Sequence, residues 1–206
     1  MVRSCFLSLD GPDGTGKSTQ CRLLAEWLRS QGTEVVVCQD PGGTSLGQAL
    51  REILLTGKHH PALAAEALLF MASRAQLVAE VIRPALDRGV VVVSDRFLLA
   101  NVVYQGHAGL LDVELLWKVG QLSTGGLVPD LTLVLDLPLE QSLVRRGRPA
   151  DHLESRPTDF HERVRAGFLL EAQRRANTRV IDASPPVEVV QQAIRAAFTQ
   201  YLLQER

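Results

Sequence analysis

Apolar residues along the chain fall into two rhythms. Five short runs, Cys5 to Leu9, Glu34 to Cys38, Val90 to Ser94, Leu131 to Asp136 and Arg179 to Ile181, are rich in aliphatic and β-branched residues. Runs this nearly continuous predict strands buried on both faces, as in a parallel sheet. Between them the apolar positions recur at helical spacing. Leu23, Leu24, Trp27 and Leu28 predict a helix after the first strand, and Leu46, Leu50, Ile53 and Leu54 another after the second. A long helix begins at Leu68, Phe70 and Met71 and continues through Leu77, Val81 and Ile82 toward Leu86. Ala166, Leu169, Leu170 and Ala172 mark a late helix, and Val189, Val190, Ile194, Ala197, Phe198 and Tyr201 the last. Strand and helix alternate, which predicts a three-layer α/β fold, a five-stranded parallel sheet flanked by helices. No repeat, low-complexity tract or linker divides the chain, so residues 1–206 are expected to form one domain.

Composition changes this picture little but narrows the partners. Of 206 residues 46% are hydrophobic, ordinary for one globular domain. Lys and Arg total 22 against 23 Asp and Glu, a formal net charge of -1, which argues against a general nucleic-acid or anionic-membrane binder. The basic residues are lopsided: only Lys17, Lys58 and Lys118 are lysines, against 19 arginines. Cys5, Cys21 and Cys38 are scattered in apolar surroundings without metal-ligand spacing and are expected to be reduced core residues. His59-His60 precedes Pro61 and reads as a solvated turn. The first residues show no secretory pattern, and the longest apolar runs, such as Val90 to Val93, are far short of a membrane span, so a cytoplasmic protein is expected.

One segment departs from the alternation. Arg145 to Pro157, RRGRPADHLESRP, is polar and carries four arginines in thirteen positions. It suits a solvated loop or, lying between two helices, a mobile lid spanning about residues 142–158.

Gly11-Pro12-Asp13-Gly14-Thr15-Gly16-Lys17-Ser18 matches G-x-x-x-x-G-K-[ST], placed after the first strand and before the first helix. Glycines let successive backbone N–H groups wrap phosphate oxygens, and the following helix turns its positive end toward them. Gly11 to Thr19 is therefore the expected purine-triphosphate-binding stretch, the ATP site if the donor is ATP, in a P-loop NTP hydrolase-type fold. Lys17 would reach the terminal phosphates, and the Ser18 hydroxyl would ligate Mg²⁺, with Asp95 beside it directly or through water. The loop alone leaves GTPases, transport ATPases and small-molecule kinases open. The guanine-reading N-K-x-D motif is absent, and Asp95 is followed by Arg96, whose planar fork suits a second phosphorylated substrate. A kinase acting on a monophosphate is favoured.

Further motifs line up in order: Asp40-Pro41-Gly42-Gly43-Thr44, Arg51, Phe70-Met71-Ala72-Ser73-Arg74, Asp95-Arg96-Phe97, Asn101-Val102-Val103-Tyr104-Gln105-Gly106, and Pro129-Asp130 entering the fourth strand. The arginine segment and Asp159 to Arg165 follow. From Leu9 to about Ala183 this series resembles the thymidylate kinase family. The resemblance implies transfer of the γ-phosphoryl group of ATP to dTMP, with Mg²⁺, in dTTP biosynthesis. It also implies a homodimer formed through helices. Phe70 would stack on thymine, Arg74 would donate to its O4, where cytosine carries an opposing donor, and Asn101 would bond the base edge. Asp13 would accept from the sugar 3′-hydroxyl, Tyr104 would crowd a ribose 2′-hydroxyl, and Gln105 would lie beside sugar and base. Arg51 and Arg96 would clamp the acceptor phosphate. Gly14 stands where some members carry a basic residue, so the catalytic arginine is expected from the lid, Arg148 first and Arg146 next, with Arg145 the third candidate. Gln39, Asp40, Ala100 and His152 depart from the arginine, glutamate, serine and arginine common in the family. Another nucleoside or nucleotide kinase, or a catalytically weak nucleotide-binding relative, is the alternative.

Overall fold

The computed structural model describes residues 3–145 and 153–204. Five parallel strands, β1 (Phe6–Asp10), β2 (Val35–Gln39), β3 (Val91–Asp95), β4 (Leu131–Asp136) and β5 (Thr178–Asp182), form one sheet in the order β2-β3-β1-β4-β5. A five-stranded parallel sheet flanked by helices is what the alternation predicts. Each of the first three strands sits one residue later than its apolar run, because the ladder continues into polar ends. Leu9 and Gln39 both register with Asp95. Burial sets the apolar run; backbone pairing carries a carboxylate to the C-terminal edge of β1 and of β3, where open α/β sheets bind ligands.

Both faces of the sheet are covered. Leu7, Leu9, Leu133 and Leu135 pack against Leu24 and Leu28 of α1 (Lys17–Ser30) and Ile194 and Phe198 of α9 (Val187–Gln204). On the opposite face Phe6 and Val92 meet Met71 and Leu77 of α3 (Leu63–Leu77), while Val134 meets Phe160, Val164 and Phe168 of α8 (Thr158–Arg174). Cys5, Cys21 and Cys38 are free and buried in this core, and burial pushes the thiols of Cys5 and Cys38 up to about 12. His59 and His60 are exposed, as the turn reading expects.

The long predicted helix is interrupted. After α3 the chain widens into a π-turn at Val78–Ile82 before α4 (Arg83–Asp87), with the Arg83 N–H bonded to the Val78 carbonyl. Pro84 accounts for the change: it has no N–H, and its ring would strike the carbonyl four residues earlier in regular α geometry. The helices α2 (Ser45–Leu55) and α5 (Leu98–Asn101), α6 (Val113–Thr124) and α7 (Leu139–Arg145) complete the set. The helical spacing read from sequence names α2 but not the last three. Cap chemistry marks α6 instead: Asp112 accepts from the Leu115 N–H at 2.9 Å, and Gly125 closes it at φ 57°. A π segment, Val102–Ala108, follows α5. Among the described residues no helix is long and apolar enough to cross a membrane.

Candidate functional site

The loop between β1 and α1 is shaped by its glycines. Gly11 and Gly14 have φ of 131° and 78°, and a Cβ on either would collide with backbone, at the Leu135 carbonyl and the Ser142 carbonyl respectively. The Gly14 contact gives a physical reason why no side chain, basic or otherwise, occupies position 14: α7 passes directly behind it. Gly16 carries no side chain to cap α1, so the first N–H groups of that helix remain for an anion. The Lys17 ammonium folds back onto the Pro12 carbonyl at 2.6 Å. Burial, reinforced by the Arg96 charge, pushes its pKa down to about 8. The Ser18 hydroxyl donates directly to Asp95 Oδ2.

Arg96 is held in a left-handed backbone conformation, φ 69°, that costs a non-glycine residue about 1–2 kcal/mol. Two bonds clamp it, its N–H donating to the Leu9 carbonyl at 2.9 Å and the Ser94 hydroxyl donating to its carbonyl at 2.6 Å, and the next N–H, of Phe97, reaches Asp10 Oδ1 at 3.4 Å. The strained turn aims the guanidinium at the phosphate loop, where it donates to the Gly11 carbonyl at 2.8 Å and to Asp13. Tyr104 donates its hydroxyl to the same Asp13 carboxylate at 2.6 Å. Burial opposes the charge on Arg96, but Tyr104, Asp13, Asp95 and Asp10 outweigh it and hold its pKa above the ordinary arginine value. Asp10 is fully enclosed, and burial pushes its carboxyl up against the opposing pull of Ser8 and Arg96.

At the other end of the cavity the side chains come from α3 and the start of the π segment. Phe70 packs with Leu54 and Leu153, and Arg74, 1% exposed, lies one turn further along α3. Arg74 donates through Nε to Asp40 Oδ2 at 2.6 Å and through Nη1 to Asn101 Oδ1 at 3.0 Å. Asn101 donates in turn to Gln105 Oε1 at 2.7 Å. Asp40 is buried with its Oδ1 unpartnered among the described residues, and burial raises its pKa against the pull of Arg74. Arg51 reaches across to the Pro41 carbonyl at 2.9 Å.

These two ends open into one cavity of about 420 Å³. Asp13, Gly14, Gly16, Lys17, Ser18, Thr19 and Asp95 line it on the phosphate-loop side, with Arg96 and Tyr104 between. Arg51, Phe70, Arg74, Asn101 and Gln105 line the remainder. Gly11, Pro12 and Thr15 form the back of the loop, Thr15 being buried with its hydroxyl on the Pro12 carbonyl at 3.0 Å. Arg145 also lines the cavity, while its guanidinium is bonded to the carbonyls of Ala183 and Ser184 at 2.6 and 2.7 Å. Arg146, Arg148 and His152 lie outside the described residues. Gln39 and Ala100 both line the cavity.

Sequence reasoning missed the polar support behind this wall. Glu66 is 1% exposed, accepts from Gln105 Nε2 at 2.9 Å and pairs with Arg156 at 2.7 Å. A signal was present, since Glu66, Phe70 and Arg74 recur every four residues on one face of an otherwise apolar helix.

The sequence model described as thymidylate kinase matches residues 9–194. A thymidylate kinase of Rhodopirellula baltica is 49% identical over 192 residues, covering 93% of this chain and 78% of that protein. One from Clavibacter sepedonicus is 48% identical over 195 residues, with 93% and 92% covered. One from Symbiobacterium thermophilum is 44% identical over 202 residues, with 97% and 94% covered.

Proposed function

The chain belongs to the thymidylate kinase family, and from its reaction, transfer of the γ-phosphoryl group of ATP to dTMP to give ADP and dTDP, we propose how its residues divide the work. The observation that carries the assignment is the single cavity with a phosphate loop at one end and an aromatic wall with paired hydrogen-bonding side chains at the other.

Gly11 to Thr19 hold ATP through backbone N–H groups, and Lys17 leaves the Pro12 carbonyl to meet the terminal phosphates. Phe70 stacks on the thymine ring, Arg74 donates to its O4, and Asn101 faces the base edge with Gln105 beside it. Arg96 and Arg51 take the acceptor phosphate. Asp13, which accepts from Arg96 and Tyr104, turns its carboxylate toward the sugar 3′-hydroxyl. Tyr104, fixed by that bond, narrows the space at C2′.

The Ser18 hydroxyl and the Asp95 carboxylate, in direct contact beside the loop, are a small hard-oxygen donor set of the kind Mg²⁺ uses when phosphates and water complete its shell. Once bound there, Mg²⁺ would neutralise charge on the phosphate oxygens. The acceptor is already an ionised phosphate, so no general base is required. What the chain supplies is alignment and positive charge: Lys17, Arg96 and, from a lid over residues 142–158, Arg148 with Arg146 second. Closure of that lid over the single domain would exclude water that otherwise hydrolyses ATP.

Exposed Leu68 on α3 and Leu115 and Leu122 on α6, two helices that pack together, support a helix-mediated homodimer; a cytoplasmic location follows from the family reading. ³¹P spectra of a mixture of the protein, Mg²⁺, ATP and dTMP test the reaction. Equal amounts of ADP and dTDP are expected; ADP with free phosphate and no dTDP would sink the assignment.

A further inference from the structure

Glu66 is a buried carboxylate that phosphoryl transfer does not use and that does not itself line the cavity. It lies in the first turn of α3, one turn before Phe70 and two before Arg74. Both its oxygens are committed, one to Gln105 Nε2 at 2.9 Å and the other to Arg156 Nη2 at 2.7 Å. Arg156 in turn stacks its guanidinium over Phe160 at 4.7 Å, in the first turn of α8. From Glu66 the bonds continue through Gln105 and Asn101 to Arg74 and end on Asp40.

Between Arg74 and Glu66 every link points the same way, Arg74 donating to Asn101, Asn101 to Gln105 and Gln105 to Glu66, while Arg74 also donates outward to Asp40. An amide has a donor end and an acceptor end, so Asn101 and Gln105 can each sit in two orientations that differ only in which end faces the base. Arginine has no acceptor, so only the Asn101 oxygen can face Arg74. A carboxylate has no donor, so only the Gln105 nitrogen can face Glu66. The two ends therefore agree, and the polarity of both amides is fixed before any nucleotide arrives. With that polarity the pocket offers a donor at Arg74 next to an acceptor at Asn101. Thymine presents a carbonyl next to a ring N–H, the complement of that pair. Cytosine presents an amino group next to a bare ring nitrogen and mismatches both.

We propose that Glu66 is a positioning residue for base recognition: it fixes the amide polarity of Gln105 and Asn101 and, through Arg156, ties the base pocket to the turn that leads into α8. The inference rests on dTMP being the acceptor.

Glu66→Gln keeps the shape but supplies one acceptor instead of two, so its new amide must confront either Gln105 or Arg156, both donors. The KM for dTMP is expected to rise about tenfold, with the preference for dTMP over dCMP shrinking by a similar factor and the KM for ATP staying within about twofold. Adding Arg156→Met removes one opposing donor and should restore most of the lost dTMP affinity. Unchanged nucleotide constants with a lowered Tm would overturn the inference, since they would make Glu66 a purely structural residue. A double variant no better than Glu66→Gln would overturn the link through Arg156. Should Glu66→Gln fail to fold, Arg156→Met alone decides: a rise of about threefold in the KM for dTMP with that for ATP unchanged supports the tie, and no change refutes it. Titration of the wild-type protein with dTMP separates the two levels. A wild-type protein that neither binds nor phosphorylates dTMP would overturn the acceptor assignment and this inference together, whereas wild-type binding with indifferent variants would overturn this inference alone.

Discussion

The two ends of the cavity solve recognition differently. On the proposed reading the phosphate end is built from nine consecutive residues, Gly11 to Thr19, and meets its ligand largely through backbone N–H groups. Its polar side chains rest on one another or on the loop: Lys17 on a carbonyl, Arg96 on Asp13, Ser18 on Asp95. The base end is assembled from side chains at positions 40, 66–74, 101–105 and 156, joined by a hydrogen-bond relay whose direction is fixed. Phosphates look alike on every nucleotide, so a local, backbone-built cradle suffices for them. A base must be told from its relatives, which takes oriented side chains, and orienting them takes a second layer of support from elsewhere in the chain.

If this division holds, variants at the two ends separate kcat from KM. The largest effect is expected for Arg148→Ala, a loss of about 10³-fold in kcat with dTMP binding nearly unchanged; unchanged turnover would remove Arg148 from the chemistry, and Arg146→Ala should cost less. Lys17→Ala should lower kcat about 10²–10³-fold, again sparing the dTMP dissociation constant measured by calorimetry. At the other end Phe70→Ala should raise the KM for dTMP about 10–100-fold through lost stacking, with kcat at saturation less affected. Comparable to the Phe70 effect is the gap between dUMP and dTMP, which one methyl group sets at about 1–3 kcal/mol; a gap of many thousandfold would mean the pocket reads more than the relay provides. A smaller effect comes from pH. Lys17 is charged below about 8 and neutral above it, so its attraction for phosphate weakens as pH rises through that value. The kcat/KM for ATP should therefore fall by up to about tenfold per unit on the alkaline side, and Lys17→Arg should flatten that limb in a pH profile.

The same contrast explains what the sequence disclosed. The phosphate loop was legible because its residues are adjacent and its glycines have a single steric purpose, and the five strands were legible because burial on both faces leaves unbroken apolar runs. Phe70, Arg74 and Asn101 emerged from their resemblance to a family, while spacing alone would equally suit a core phenylalanine. Glu66 and Arg156 escaped because their meaning lies in partners up to 90 residues away. The π-turn at Val78–Ile82 escaped for a different reason, since apolar periodicity is insensitive to one extra residue in a turn, and Pro84 was the local signal that outweighed it. The helix α6 went unread because its signal lies in its caps, Asp112 and Gly125, rather than in an apolar face.

The most direct test is a coupled ADP-release assay with ATP and, in turn, dTMP, dUMP, dCMP and thymidine. dTMP is expected to give the highest kcat/KM, dUMP to follow within about 10–100-fold, and dCMP and thymidine to fall well below both. Phosphorylation of dCMP as efficient as that of dTMP, or a preference for thymidine, would contradict that order.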